Sequence, residues 1–369
     1  MSSQKKLGLF FTKGISVEIW KKKGLLDREK LIYEKLIQEN FFNEIYWFTY
    51  GSDDKKYENE LSQGIKIVPM PSVFKFPLGK LIYSFLMPFW QKQKLKECAF
   101  YKTNQIWGSW AAVISKLLYS KTLYIRTGYT LSIFAKLQQN FFLYFKSKFI
   151  ERLAYKYADF LAVSSELDYN YIVDKYHPQK ITVIPNFIDT NLFRPVYKEK
   201  ARDVVYIGRL NAQKNLFNLI KAVAKTDYSL DIYGGGNLFK KLNELTKQLN
   251  VEKRVLFKGE VANKSLPKII NEYKIYILPS FYEGMPKTLL EAMSCGAACI
   301  GTNVNGISEV LRHKQNGIIT KTDSESLRIA ISELMQNKDL QIKIGRNARK
   351  EIEQNYSLEK VFVLEKSFY

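Results

Sequence analysis

The sequence predicts an α/β protein built of two parallel-sheet domains. Three observations carry this reading. Short β-branched and apolar runs alternate with amphipathic stretches, and the alternation starts afresh near the middle of the chain. The strand-like runs are nearly continuous in apolar residues, as strands covered on both faces are. At 369 residues, with 46% hydrophobic residues and no low-complexity tract, the chain has material for two ordinary domains. The expected domains are residues 1–185 and 186–356, facing each other across a central cleft.

In the first half, Leu7–Phe11 reads as the opening strand. Its short basic lead and short apolar run, ended by Lys13, fit a strand and not a secretory signal. A loop with Gly14 and Ser16 follows, then an amphipathic helix over Asp27–Asn40 and strands at Glu44–Thr49 and Gly64–Val68. Pro69–Lys102 reads as irregular and then helical. Short strands are expected at Gln105–Trp107 and Leu123–Arg126, with a helix at Ala111–Leu118 between them. Arg126 and Tyr129 stand at a strand's C-terminal end, the edge where open α/β sheets bind ligands. Arg126 is either an anion contact or a surface arginine held by a helix carboxylate. A helix at Ser147–Tyr157 and strands at Phe160–Val163 and from Ile181 complete this half.

Charge is unevenly placed. The net charge is +21, from 57 basic and 36 acidic residues. Between Leu61 and Ile150 thirteen Lys and Arg face one acid, Glu97, among many aromatics. Such a segment suits an anionic membrane face or nucleic acid, and a Lys-rich composition accounts for part of it. No window reaches the roughly 18 apolar residues of a spanning helix. Cys98, Cys295 and Cys299 lack zinc-ligand spacing and read as reduced, small core residues.

The second half opens with a strand at Val204–Ile207, the loop Gly208–Asn215 and a helix over Leu216–Ala224. Arg209 offers a planar fork and Lys214 a point charge, just before a helix N-terminus; together they suit a diphosphate. Strands at Leu230–Tyr233, closed by Gly234-Gly235-Gly236, and at Val255–Phe257 follow. Then comes LPSFYEGMPKTLLEAMSCGAACIGTNVNGISEVL, read as strand, loop, helix, strand, loop and helix, with Pro286 in the first helical position. Two carboxylates stand eight apart, Glu283 in the loop and Glu291 in the helix. Either alone is what a helix dipole favours; as a pair around a helix start they suit an anionic, hydroxyl-rich ligand. Helices are expected at 324–336 and 339–354.

The segment EGMPKTLLEAMSCG resembles the E-x7-E signature of retaining glycosyltransferases of family 4, which have the GT-B fold. GTNVNGISEVL resembles that family's next loop, GRL…KN its phosphate-binding element and PNFIDTNLFRP its interdomain connector. The resemblance is specific in the second half; in the first it rests on architecture and connector. It implies that Arg209 and Lys214 hold a nucleotide sugar's diphosphate. Glu283 and the backbone of Gly284, Met285 and Pro286 would hold the sugar, and Glu291 the ribose. The Gly14 loop would approach the donor phosphates and the acceptor, with Ser16, Arg126 and Tyr129 on the acceptor side. A last helix, 357–369, would cross back onto the first domain.

The resulting expectation is a hexosyltransferase, retaining and without a metal or other cofactor. No Asp-x-Asp pair occurs, and fixed cations replace it. The acceptor would be a saccharide, lipid-linked, in bacterial surface polysaccharide synthesis. The enzyme would sit peripherally on the cytoplasmic face of an anionic membrane, with no nucleic-acid partner. The alternatives are a soluble transferase with a small-molecule or protein acceptor and, remotely, a nucleic-acid-binding protein using residues 61–150. The family's first-domain histidine has no counterpart: His177 and His313 lie elsewhere and read as surface residues.

Overall fold

The structure is a computed structural model that describes residues 5–196 and 199–369. The chain divides into two units. One runs to Pro185 and includes Phe362–Tyr369; the other is Asn186–Val361.

The first unit holds strands β1 (Lys6–Phe10), β2 (Glu44–Phe48), β3 (Ile65–Val68), β4 (Phe100–Thr103), β5 (Thr122–Thr127), β6 (Phe160–Val163) and β7 (Ile181–Val183). All pair in parallel in the order β3-β2-β1-β4-β5-β6-β7. The second holds β8 (Arg202–Ile207), β9 (Leu230–Tyr233), β10 (Val255–Gly259), β11 (Tyr273–Leu278), β12 (Ala298–Thr302) and β13 (Ile318–Thr320). These too are parallel, in the order β10-β9-β8-β11-β12-β13. Each sheet reverses its winding once, between β1 and β4 and between β8 and β11. Crevices at such points, outside the strands' carboxyl ends, are where doubly wound sheets bind ligands.

The strand expected at Gln105–Trp107 is not one; β4 lies earlier, over Phe100–Thr103. Lys102 in its middle argues for an exposed segment, yet its side chain is only 2% exposed. Its charge is met by Glu365, 3% exposed, from the last helix, Leu358–Lys366. Glu365 also accepts from Tyr124 Oη at 3.0 Å and Tyr369 Oη at 2.9 Å. The ammonium lies 5.1 Å from the rings of both Tyr33 and Tyr124. A partner 263 residues away leaves no local trace in sequence.

Other differences are smaller. The helix expected from Ser147 begins at Phe141, where Asn140 Oδ1 caps it by accepting from Leu143 N–H at 2.9 Å. The helix expected over Asp27–Asn40 is two, Leu26–Glu29 and Leu31–Gln38. Pro286 caps its helix and Lys287 begins it. All three cysteines are buried and unpaired, and burial pushes the Cys98 and Cys295 thiols up to about 12. Among the described residues no helix is long and apolar enough to cross a membrane.

Candidate functional site

The second unit's crevice is built from the loops after β8, β11 and β12. In the first, Gly208 N–H donates to Tyr233 O and Leu210 N–H to Gly235 O, both at 2.9 Å. The glycine run after β9 makes this possible. A Cβ on Gly234 (φ +135°) would stand 1.9 Å from Gly208 O, and one on Gly236 2.3 Å from Leu210 O. The three glycines therefore back the Arg209 loop. Burial holds the Tyr206 phenol protonated well above its ordinary range, and it donates to Arg209 O at 3.0 Å. The Arg209 side chain is exposed and, among the described residues, makes no ion pair.

The same loop is stitched to its neighbours. Asn215, in the left-handed region at φ +56°, donates through Nδ2 to Pro279 O at 2.9 Å and to Thr322 O at 2.7 Å. Phe281 N–H donates to Gln213 O at 2.8 Å. Lys214 thereby comes against Glu283 across the β8/β11 boundary as an ion pair, the side chains 10% and 7% exposed. Ser280 Oγ donates to Glu283 Oε1 at 2.6 Å. Gln213 Nε2 donates to Tyr282 O at 2.8 Å and to Glu283 Oε2 at 3.3 Å.

Behind Glu283, Asn186 Nδ2 donates to Met285 O at 2.8 Å. The β12 loop closes on the other side: a Cβ on Gly306 (φ +78°) would lie 1.4 Å from Gly284 O. Gly306→Ala is expected to lower stability by at least about 2 kcal/mol. A thermal melt checks this. The helix Lys287–Ser294 then starts beside Glu283 and brings the positive end of its dipole there. Glu291, on this helix, is fully buried, and its Oε1 accepts from Asn263 Nδ2 at 2.8 Å.

The second unit thus brings together Arg209, Lys214, Glu283, Gly284, Met285 and Pro286 around one crevice. Glu291 lies beneath, inside the helix packing. Gln213, Ser280, Asn215 and Asn263 complete the arrangement; of these the sequence reading had marked only Asn215, as the end of the GRL…KN element, and gave it no role of its own. Gln213 and Asn215 flank Lys214, but nothing local distinguishes a side chain that bridges two loops from one in water.

In the first unit the expected acceptor-side residues are more dispersed in role. Gly14 turns at φ +84° with open space around its Cα. Ser16 is buried and caps the helix Val17–Lys22, its Oγ accepting from Ile19 N–H at 3.1 Å. Asp54 also accepts at this helix start, from Val17 N–H at 2.8 Å and Glu18 N–H at 3.2 Å. Arg126 donates to Ile184 O at 3.1 Å and Pro185 O at 3.0 Å. Tyr129 packs on Phe134, ring centroids 4.5 Å apart. A cavity of about 650 Å³ opens beside the Gly14 loop, lined among others by Lys13, Ser16, Tyr50, Phe74 and Lys80.

Comparison with known proteins adds to this geometry. Residues 188–351 match the family model "Glycosyl transferases group 1". Residues 38–192 match that of "Glycosyltransferase Family 4". Each half of the chain thus matches a glycosyltransferase family model. An uncharacterized glycosyltransferase of Methanocaldococcus jannaschii is 26% identical over 326 residues, 83% of this chain and 81% of that one. An Escherichia coli UDP-Gal:alpha-D-GlcNAc-diphosphoundecaprenol alpha-1,3-galactosyltransferase is 30% identical over 204 residues, 50% of this chain and 52% of that protein. The Bacillus anthracis N-acetyl-alpha-D-glucosaminyl L-malate synthase is 29% identical over 196 residues, 49% of this chain and 51% of its own length. The chain thus spans about half the length of several curated relatives it matches.

Solved structures share the GT-B fold over the whole chain. Sucrose-phosphate synthase from Thermosynechococcus elongatus superposes with a TM-score of 0.82 at 17% identity, covering 99% of this chain and 98% of that one. Anabaena HepE in complex with UDP-glucose gives 0.78 at 18% identity, covering 99% and 100%.

Proposed function

We propose that this glycosyltransferase moves a hexose-type sugar from a nucleotide diphosphate sugar to a lipid-linked saccharide, in bacterial surface polysaccharide synthesis. The observation that carries the donor half is the Lys214–Glu283 pair at the β8/β11 switch point, with exposed Arg209 beside it. Two cations and a helix start suit a diphosphate; a carboxylate among hydroxyl and amide donors suits sugar hydroxyls. Names of relatives that act on diphosphoundecaprenol-linked sugars support the lipid-linked acceptor.

In the ligand-free protein Glu283 is the counterion of Lys214. On donor binding Lys214 turns to the phosphate oxygens, and Glu283 Oε1 becomes free to accept from the sugar. Arg209 and Lys214 then stabilise the leaving diphosphate, so no metal is required. The bond from the anomeric carbon to the phosphate oxygen breaks as the acceptor oxygen bonds on the same face. The acceptor's proton passes to the departing phosphate, and the configuration is retained. Glu283 and the Gly284 and Met285 amides hold the sugar; the ribose lies toward Glu291. The protein works at the cytoplasmic membrane face as a peripheral enzyme.

Calorimetric titration of the purified chain with UDP-, GDP- and ADP-sugars tests the donor reading. One base is expected to bind, and Arg209→Ala to weaken it. Failure of all three to bind would overturn the reading.

A further inference from the structure

The helix Phe141–Tyr157 carries a surface that donor chemistry does not use. Phe141, Phe142, Phe145 and Phe149 are each 65% to 80% exposed. Residues 141, 145 and 149 fall on one helical stripe. The cations on this helix are Lys146, Lys148, Arg152 and Lys156. Its single acid, Glu151, is turned inward, accepting from Ser132 N–H at 2.8 Å and Tyr176 Oη at 2.9 Å.

Helix Gly79–Trp90 shows a second apolar stripe: Ile82, Phe85, Leu86, Phe89 and Trp90 are exposed. An aromatic chain joins the two helices. Phe85 stacks on Trp110 at 5.5 Å, Trp110 meets Trp107 edge-on at 5.9 Å, and Lys146 Nζ lies 5.0 Å from the Trp107 ring. Between residues 79 and 150 the one acid is Glu97, and Lys6 neutralises it at 2.8 Å. The charged side chains that this stretch itself offers beside the apolar surface are therefore cations.

Trp107 has a second cation. Lys13 Nζ lies 5.7 Å from the same ring, and Lys13 N–H donates to Trp107 O at 3.1 Å. The two residues follow β1 and β4, at the first sheet's switch point, and Lys13 lines the 650 Å³ cavity. Among the described residues neither Lys13 nor Lys146 has a carboxylate partner. Burial, and then the charge of Lys146, lowers the Lys13 pKa, as expected of cations that lack an anion between them.

We propose that the Phe141–Tyr157 helix docks on an anionic bilayer through its phenylalanines, and that Lys13 and Lys146 bind the phosphate of a lipid-linked acceptor there. This rests on the reading that the acceptor is lipid-linked. Phenylalanines at the headgroup boundary with lysines reaching toward phosphates is the interfacial arrangement a bilayer favours. A protein partner of matching charge would need an acidic rim around an apolar centre; a bilayer surface supplies both.

The test is sedimentation of the full chain with vesicles of phosphatidylcholine, of phosphatidylcholine with phosphatidylglycerol, and of phosphatidylcholine doped with a polyprenyl diphosphate. Wild type is expected to bind the second and third and not the first. Phe142→Ser with Phe145→Ser should lower binding to phosphatidylglycerol vesicles by about tenfold or more. Lys13→Ala with Lys146→Ala should remove most of the gain from polyprenyl diphosphate, and Lys13→Arg with Lys146→Arg should keep it. Unchanged binding of the phenylalanine variant overturns the docking face; unchanged binding of the alanine variant to doped vesicles overturns the phosphate site. Wild type that ignores vesicles but sediments as a dimer makes this face an interface between copies and overturns both. Nucleotide-sugar titration of the same variants should match wild type, which separates these outcomes from failure of the donor reading.

Discussion

Lys214→Ala is expected to lower turnover by a factor of order 10² or more, and to lower stability as well. The two effects have different sources. Under the proposed function, turnover falls because the leaving diphosphate loses a fixed positive charge in a partly closed crevice, where such charge counts more than in water. Stability falls because Glu283, 7% exposed, is left without its cation. Removing one partner of a well-buried pair costs about 3–5 kcal/mol, with the lower end expected here because Ser280 and Gln213 still donate to the carboxylate. Arg209→Ala is the contrast: an exposed side chain with no ion pair among the described residues should lose turnover by a similar factor at an unchanged melting temperature. Steady-state kinetics and melts on the two variants separate the roles. An Arg209→Ala enzyme of normal activity would sink the phosphate assignment.

Glu365→Ala should destabilise the first unit by about 3–5 kcal/mol, since Lys102 would remain buried without a counterion. The tyrosines cannot replace it: Tyr124 and Tyr369 lose their acceptor in the same substitution. Adding Lys102→Met should recover much of the loss, because a buried pair replaced whole by apolar groups is often close to neutral. Urea denaturation of the single and double variants measures both steps. A single variant as stable as wild type would show that the Lys102–Glu365 pair does not hold this region together.

Much of the fold was legible because parallel strands buried on both faces read as apolar runs, and because glycine and proline mark their ends. β8 and β9 lie within two residues of their expected places. Reading failed where a long-range partner changed a residue's meaning. Lys102 made a central strand look exposed, and the exposed phenylalanines at 141, 142, 145 and 149 obscured the first two turns of a helix whose surface is not covered in the monomer. At the candidate site, spacing and resemblance picked out Lys214 and Glu283, which the structure brings together as an ion pair. The contacts that orient them were not legible: Ser280 and Gln213 hold Glu283, and Asn215 ties two loops to the Lys214 segment, through pairings set by the sheet order and not by the chain.

The placement of Glu365 has a consequence for synthesis. The first unit's sheet is complete once β7 has emerged, yet the counterion of Lys102 belongs to Phe362–Tyr369 and is translated about 180 residues later. At about 5–20 residues per second that is a wait of roughly 10 to 40 seconds. Throughout it, the nascent first unit lacks the carboxylate that meets Lys102. The first unit can therefore finish folding only after Phe362–Tyr369 has been made.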